Sequence, residues 1–292
     1  MNLKSQNGIL YLTSPLLCSI GIKHAFTTRV GGVSKGDFDS MNVSTRRQDK
    51  NGNLDKYENT VENFRRTLSL IGALPENSVC ANQVHGKEII TLDGTYSGMG
   101  ILKGSQKYED SDGLLLCGND SNISGICIKS ADCVPILLAD KETRNVCAVH
   151  SGWRGTCKNI VGAAIDEMVK NGSVAENIYC AIGPCISQCC YEVSADVYLE
   201  AEKTLSGFGV QEKISEFFTP IRKGVENPQN KYYFDIGKMC TYLAHLSGLP
   251  CENIDFLNVC TCCAEHEGEK MFFSHRRQGG FSGTQASVIT NR

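Results

Sequence analysis

Two histidines and one cysteine stand in chemically loaded contexts. His85 lies in Asn82-Gln83-Val84-His85-Gly86 and Cys133 in Ser130-Ala131-Asp132-Cys133-Val134-Pro135. His150 lies in Ala148-Val149-His150-Ser151-Gly152-Trp153-Arg154-Gly155. Imidazole nitrogen and thiolate sulfur are donors that zinc accepts. Structural zinc is ordinarily closed by four protein ligands, whereas catalytic zinc commonly keeps three and leaves a place for water or substrate. Two imidazoles and one thiolate therefore imply a metalloenzyme with an open position. A lone histidine at a strand end is more often a hydrogen-bonded structural residue, so the context of each carries the reading. Asp132 and Arg154 are charges beside otherwise apolar strands, where isolated burial would be costly. Asp132 is the carboxylate expected to orient an imidazole, and Arg154 a candidate for a local basic pocket.

The elements that must position these residues follow from periodicity. Residues 123–128, 134–139 and 145–150 are short, apolar and β-branched runs that predict strands. After His150 a glycine turn leads into a helix with Ile160, Val161, Ala164, Ile165, Met168 and Val169 on one face. Strand, turn and helix in that order aim free backbone N–H groups at the strand end, where an anion such as phosphate is welcome. Helices are predicted over 57–71, over 195–205 with Ser194 as N-cap, and over 236–246 with Asp235 as N-cap. Strands are predicted at 177–182, 255–259 and 286–289. Residues 93–112 read as a polar, glycine-rich loop and 206–229 as an irregular surface excursion. With no repeat and no linker composition, the pattern predicts one α+β domain over residues 1–292.

A formal charge of −3 over 292 residues gives no global attraction to nucleic acid or to an anionic membrane. Sixteen cysteines in a chain of this length, without a convincing secretion signal, predict a reducing cytoplasm and thiols used as small buried hydrophobes. The clusters Cys185, Cys189, Cys190 and Cys260, Cys262, Cys263 invite a second metal. The spacing Cys260-x-Cys262-Cys263, compared with the two-residue gap of a zinc ribbon, argues against one. Cys185, in the turn after Gly183-Pro184, is expected near the pocket. The run Thr27-Thr28-Arg29-Val30-Gly31-Gly32 lacks the endings of a P-loop or dinucleotide fingerprint. It reads as a hairpin turn, with Arg29 a possible anion contact.

Taken together these motifs resemble those of the YfiH-like proteins, long called multicopper polyphenol oxidoreductases or laccase-domain proteins and more recently purine nucleoside phosphorylases. The resemblance runs from His24-Ala25-Phe26-Thr27-Thr28-Arg29 and Met41-Asn42 through the three motifs above. It continues through Ile182-Gly183-Pro184-Cys185 and Cys190-Tyr191-Glu192-Val193 to Phe272-Phe273-Ser274-His275-Arg276-Arg277. It implies mixed β-sheets packed together with helices on the outside, and zinc on His85, Cys133 and His150. It also implies phosphorolysis of adenosine, inosine, guanosine and methylthioadenosine, with adenosine deamination at the same centre. Asp132 and Arg154 would then be catalytic, and Arg29, Asn42, Gln83, Cys185 and Arg276 would bind substrate. Where the family commonly ends in Gly-Arg-Gln-Ala, this chain has Gly283-Thr284-Gln285-Ala286, leaving Arg154, Arg276 and Arg277 as substitutes for that arginine. Two other chemistries fit some of these residues. A copper-dependent polyphenol oxidase needs more histidines than six scattered ones. A cysteine hydrolase acting on cell-wall (peptidoglycan) precursors would use Cys133 as nucleophile and His150 as base.

Overall fold

A strand buried on both faces reads as an unbroken apolar run rather than an alternating one, and three such runs lie at the centre of this molecule. The computed structural model describes residues 2–105, 109–118, 122–221 and 230–292. The strands Gly125–Ser130, Val134–Asp140 and Val146–Ser151 match the predicted runs to within two residues. Along Val134–Asp140 the side chains divide by parity: Val134, Ile136 and Leu138 enter one core, Leu137 and Ala139 another.

These strands belong to two six-stranded sheets. One is ordered Leu3–Gln6, Ile9–Leu12, His24–Thr27, Gln285–Ile289, Gly125–Ser130, Ser78–Cys80. The other runs Ile254–Phe256, Ile178–Ile182, Val134–Asp140, Val146–Ser151, Gly113–Leu116, Ile89–Thr91. Leu12, Phe26, Ile126 and Ile128 of the first meet Leu114, Leu137, Ala148 and Ala181 of the second in the core between them. Helices Ile160–Lys170, Ala195–Gly207 and Ile236–Leu246 contribute to the core on the far side of the second sheet, and Tyr57–Ser69 to that of the first. Mixed sheets packed together with helices outside is the expected α+β architecture.

Four local expectations change. The segment 206–229 is not simply a surface excursion, because Ile214, Phe217 and Phe218 are buried in the helix-side core; 222–229 lie outside the described residues. Gly31-Gly32 is no hairpin turn but a close approach of chains. A Cβ on Gly31 would lie 2.4 Å from the Gly8 carbonyl oxygen, and one on Gly32 2.1 Å from that of Ser40. Asp235 caps its helix through a bond from Lys238 N–H at 3.0 Å, whereas the hydroxyl of Ser194 turns to Asp196 instead of the helix backbone. The loop over 93–112, of which 106–108 lie outside the described residues, ends in Asp112 and leads into an unpredicted central strand, Gly113–Leu116.

Topology explains where the three candidate ligands fall. Between Ser130 and Val134 the chain leaves the first sheet for the second, and Cys133 sits on that passage. Between Cys80 and Ile89 it makes the same passage again, carrying His85. His150, near the end of Val146–Ser151, is paired with Pro135 across the ladder. Among the described residues no helix is long and apolar enough to cross a membrane.

Candidate functional site

His85, Cys133 and His150 converge, with their donor atoms within 4.8 Å of one another. The Cys133 sulfur lies 3.9 Å from His85 Nε2, and the two imidazoles meet edge to face at 4.9 Å between centroids. Zinc at about 2.3 Å from sulfur and 2.0–2.1 Å from nitrogen would hold such a pair about 3.6 Å apart in a tetrahedron, so the set fits the ion with little movement. His85 is exposed, Cys133 half-buried and His150 buried, which leaves one side of the cluster open. Gly152 creates the space: a Cβ there would stand 2.9 Å from His85 Cδ2 and 3.2 Å from the Cys133 sulfur.

The carboxylate that orders this centre is Asp112, which sequence reasoning missed. Fully buried, its Oδ1 accepts from His150 Nδ1 at 2.8 Å and from the backbone N–H of His85 at 3.0 Å. Its Oδ2 accepts from the N–H groups of Val84 at 3.1 Å and Gly86 at 2.6 Å. One side chain thus fixes the ring of His150, leaving its Nε2 to the cluster, and the backbone of His85, at a positive φ of 62°. Burial would raise the Asp112 carboxyl, but His150 and the N–H donors outweigh it and hold it below the usual range. Burial likewise opposes charge on both Cys133 and His150. Their mutual attraction wins, drawing the thiol down to about 6 and, with Asp112, raising the imidazole to about 9. Cys133 is therefore poised as a thiolate, the form that binds metal.

A cavity of about 490 Å³ opens beside the cluster, lined by His85, Cys133 and His150 together with Gln83, Lys129 and Thr284. Arg46, Arg47 and Lys103 bring positive charge to it, and Tyr57, Ile101 and Leu102 an apolar wall. Arg47 hydrogen-bonds His275 at 3.1 Å, and the Lys103 ammonium sits 4.3 Å from the Tyr57 ring centroid. None of these three cations stood out in the sequence, because each is an ordinary loop residue until the fold brings 44–47 and 100–105 together.

Of the other candidate site residues singled out from sequence, Gln83 alone lines this cavity. Gln83 lines it while pinning Lys129, donating to its carbonyl at 2.6 Å and accepting from its N–H at 2.8 Å. Asp132 does not orient an imidazole; it accepts from Thr261 Oγ1 at 2.7 Å and from Arg276 N–H at 2.7 Å. Arg154 is exposed and stacks on Trp153 with 4.2 Å from Cζ to the ring. The Arg276 guanidinium donates to the Glu192 carbonyl at 2.8 Å, and that of Arg277 to the Thr261 and Cys262 carbonyls. Arg29 donates to the Asp39 carbonyl and lies over Phe273. Asn42 is buried with its amide committed to Ser44, Asp55 and Thr284, and Cys185 is buried in the helix-side core. None of Asp132, Arg154, Arg276, Arg277, Arg29, Asn42 and Cys185 lines the cavity.

Residues 23–292 match the family described as multi-copper polyphenol oxidoreductase laccase. The chain belongs to that family. It is 33% identical over 282 residues to a protein of Deinococcus radiodurans named purine nucleoside phosphorylase, covering 97% of this chain and 93% of that one. It is 31% identical over 223 residues to adenosine deaminase RL5 of an unknown prokaryotic organism, covering 75% of this chain and 77% of the other. The fold is that of the Bacillus licheniformis hypothetical protein YfiH, with a TM-score of 0.82 at 24% identity over 99% of this chain and 98% of that one. Within the family, then, this chain carries a histidine–cysteine cluster able to hold a metal at the edge of a cationic cavity.

Proposed function

We propose that this protein is a zinc-dependent purine nucleoside phosphorylase that also deaminates adenosine at the same centre. The observation that carries the reading is the juxtaposition of an open three-donor cluster with a nucleoside-sized cavity bearing Arg46, Arg47 and Lys103. The names of the relatives support the substrate class. When bound by His85, Cys133 and His150, zinc supplies Lewis acidity at a position left open to a small molecule.

The chain's own residues supply the rest. Phosphorolysis needs a phosphate held against the ribose C1′ and stabilisation of the departing base. Arg47 and Lys103 are the groups we assign to phosphate, whereas the sequence offered Arg154, Arg276 and Arg277 as anion contacts, with the N–H groups of the turn after His150. Tyr57, Ile101 and Leu102 offer a face for the purine and exclude water from it. Asp112 keeps the His150 ring fixed while charge changes beside it, so no reorganisation is needed during the reaction. Asp132 acts from behind Cys133, holding that passage of chain through Thr261 and Arg276 N–H.

Chromatography of adenosine incubated with zinc-loaded protein, with and without phosphate, tests the reading. Adenine and ribose 1-phosphate are expected only when phosphate is present, inosine in either case, and none of the three from His150→Ala. Absence of all products from the wild-type protein would overturn the proposal. Loss of neither activity in His150→Ala would remove zinc from both.

A further inference from the structure

Apart from the open site, a second set of thiols comes together. Cys189 and Cys190 sit in the turn after Gly183-Pro184, and Cys260 and Cys263 in the turn before the small hairpin Glu265–Lys270. All four sulfurs lie within 4.8 Å of one another, and those of Cys189 and Cys263 are 3.7 Å apart. We propose that these four cysteines form a closed, structural zinc site, distinct from the three-donor centre.

Distance argues for a metal rather than a crosslink. Four thiolates at about 2.3 Å from zinc stand about 3.8 Å apart along each tetrahedral edge. A disulfide brings two sulfurs to about 2 Å and leaves the other pair unused. The spacing that argued against a second metal compared Cys260 with Cys262. The pair that meets is Cys260 and Cys263, which has the two-residue gap of a zinc ribbon, while Cys262 packs toward the helix-side core.

The backbone prepares the site. Cys185 and Cys260 form a parallel bridge, with Cys185 N–H on the Val259 carbonyl at 3.1 Å and Thr261 N–H on the Cys185 carbonyl at 3.0 Å. Ser187 N–H points at the Cys260 sulfur at 3.4 Å, a donor that favours the thiolate. Cys190 N–H returns to the Ser187 carbonyl at 2.9 Å, closing the first turn. Two of the thiols, Cys189 and Cys263, are exposed and give an ion a way in.

The site has a position to hold. Thr261, between two of the proposed ligands, donates to Asp132, the neighbour of Cys133, which adopts φ +92°. Arg277 holds the same turn through the Thr261 carbonyl at 3.0 Å and the Cys262 carbonyl at 2.6 Å. Zinc on the four thiolates would therefore fix the segment that braces the passage carrying Cys133, without touching the cavity.

Elemental analysis of full-length protein, grown with zinc and purified under reducing conditions, tests this. Two zinc ions per chain are expected in the wild type. His150→Ala should keep one, and Cys189→Ser with Cys263→Ser should lose one while keeping that at the open site. After cobalt exchange, the remaining ion in His150→Ala should show intense thiolate-to-cobalt absorption of a four-sulfur site. Cobalt in the cysteine variant should show only the weaker band of a single thiolate. Should that variant fail to fold, alkylation of the wild type decides. Cys189 and Cys263 should be protected despite their exposure and become reactive on chelation. A metal-free His150→Ala, iron in place of zinc at the four thiols, or equal alkylation with and without chelator would overturn the proposal. None of these outcomes depends on nucleoside turnover, so the two readings stand or fall separately.

Discussion

Asp112 accepts four hydrogen bonds that together set the positions of both histidines, and its removal should be felt first in metal affinity. Asp112→Asn keeps the shape but puts an N–H where acceptors are needed. Zinc affinity at the open site should fall about 10–100-fold by competition with a chromophoric chelator; unchanged affinity would show that the carboxylate does not tune the centre. At Gly152 the expectation is steric. Gly152→Ala places a methyl group 2.9 Å from His85 Cδ2, so the ring must move, at a stability cost of about 1–3 kcal/mol together with weaker zinc binding. Parallel denaturation and zinc titration would show both, and a variant with wild-type zinc affinity would contradict the crowding. The three clustered donors were legible because each combines a donor side chain with turn-forming or charged neighbours. Asp112 was not, since it closes a polar loop and acquires meaning only when the strand after it pairs beside His150. The pairing of Cys260 with Cys263 was passed over because Cys262 stands between them.

At the scale of elements, the central strands and four long helices could be read because burial imposes a period of two or of 3.6. The strands missed were short or at the margins. Ile9–Leu12 and His24–Thr27 have four residues each, too few for a pattern, and they flank a stretch broken by Thr13, Ser14 and Pro15. Phe217 and Phe218 were hidden in a polar neighbourhood, and only packing against Phe234 and Tyr242 shows them to be core. The strand Val134–Asp140 is a sensitive element, because each of its faces supports a different core. Leu137→Ala, which empties space between the sheets, should cost about 2–5 kcal/mol in urea unfolding. A loss below about 1 kcal/mol would mean that the two sheets close over the gap.

For the whole molecule, pH acts through a group remote from the site. His24 is buried in the first sheet, its Nε2 accepting from Ser14 N–H at 2.8 Å and its Nδ1 donating to the Ile22 carbonyl at 2.9 Å. Burial lowers its pKa from 6.5 to about 4. The unfolded chain therefore takes up the proton first on acidification. Stability from this group is full above pH 6.5 and is lost as pH falls toward 4, by up to about 3 kcal/mol. Urea midpoints at pH 7, 6 and 5 should show an acid slope in the wild type that is reduced in His24→Asn; identical slopes would remove His24 as its source. The order of the first sheet sets a clock as well. Its strand Gln285–Ile289 lies between His24–Thr27 and Gly125–Ser130, so a segment made later on the ribosome joins two made much earlier. Until it arrives, the layer from which the passages carrying His85 and Cys133 depart is split in two. Ribosome-bound chains halted before residue 285 should retain no zinc at the open site, whereas chains extruded past residue 292 should. Capture of an ion at the open site would thus wait for Gln285–Ile289, long after both passages have been made.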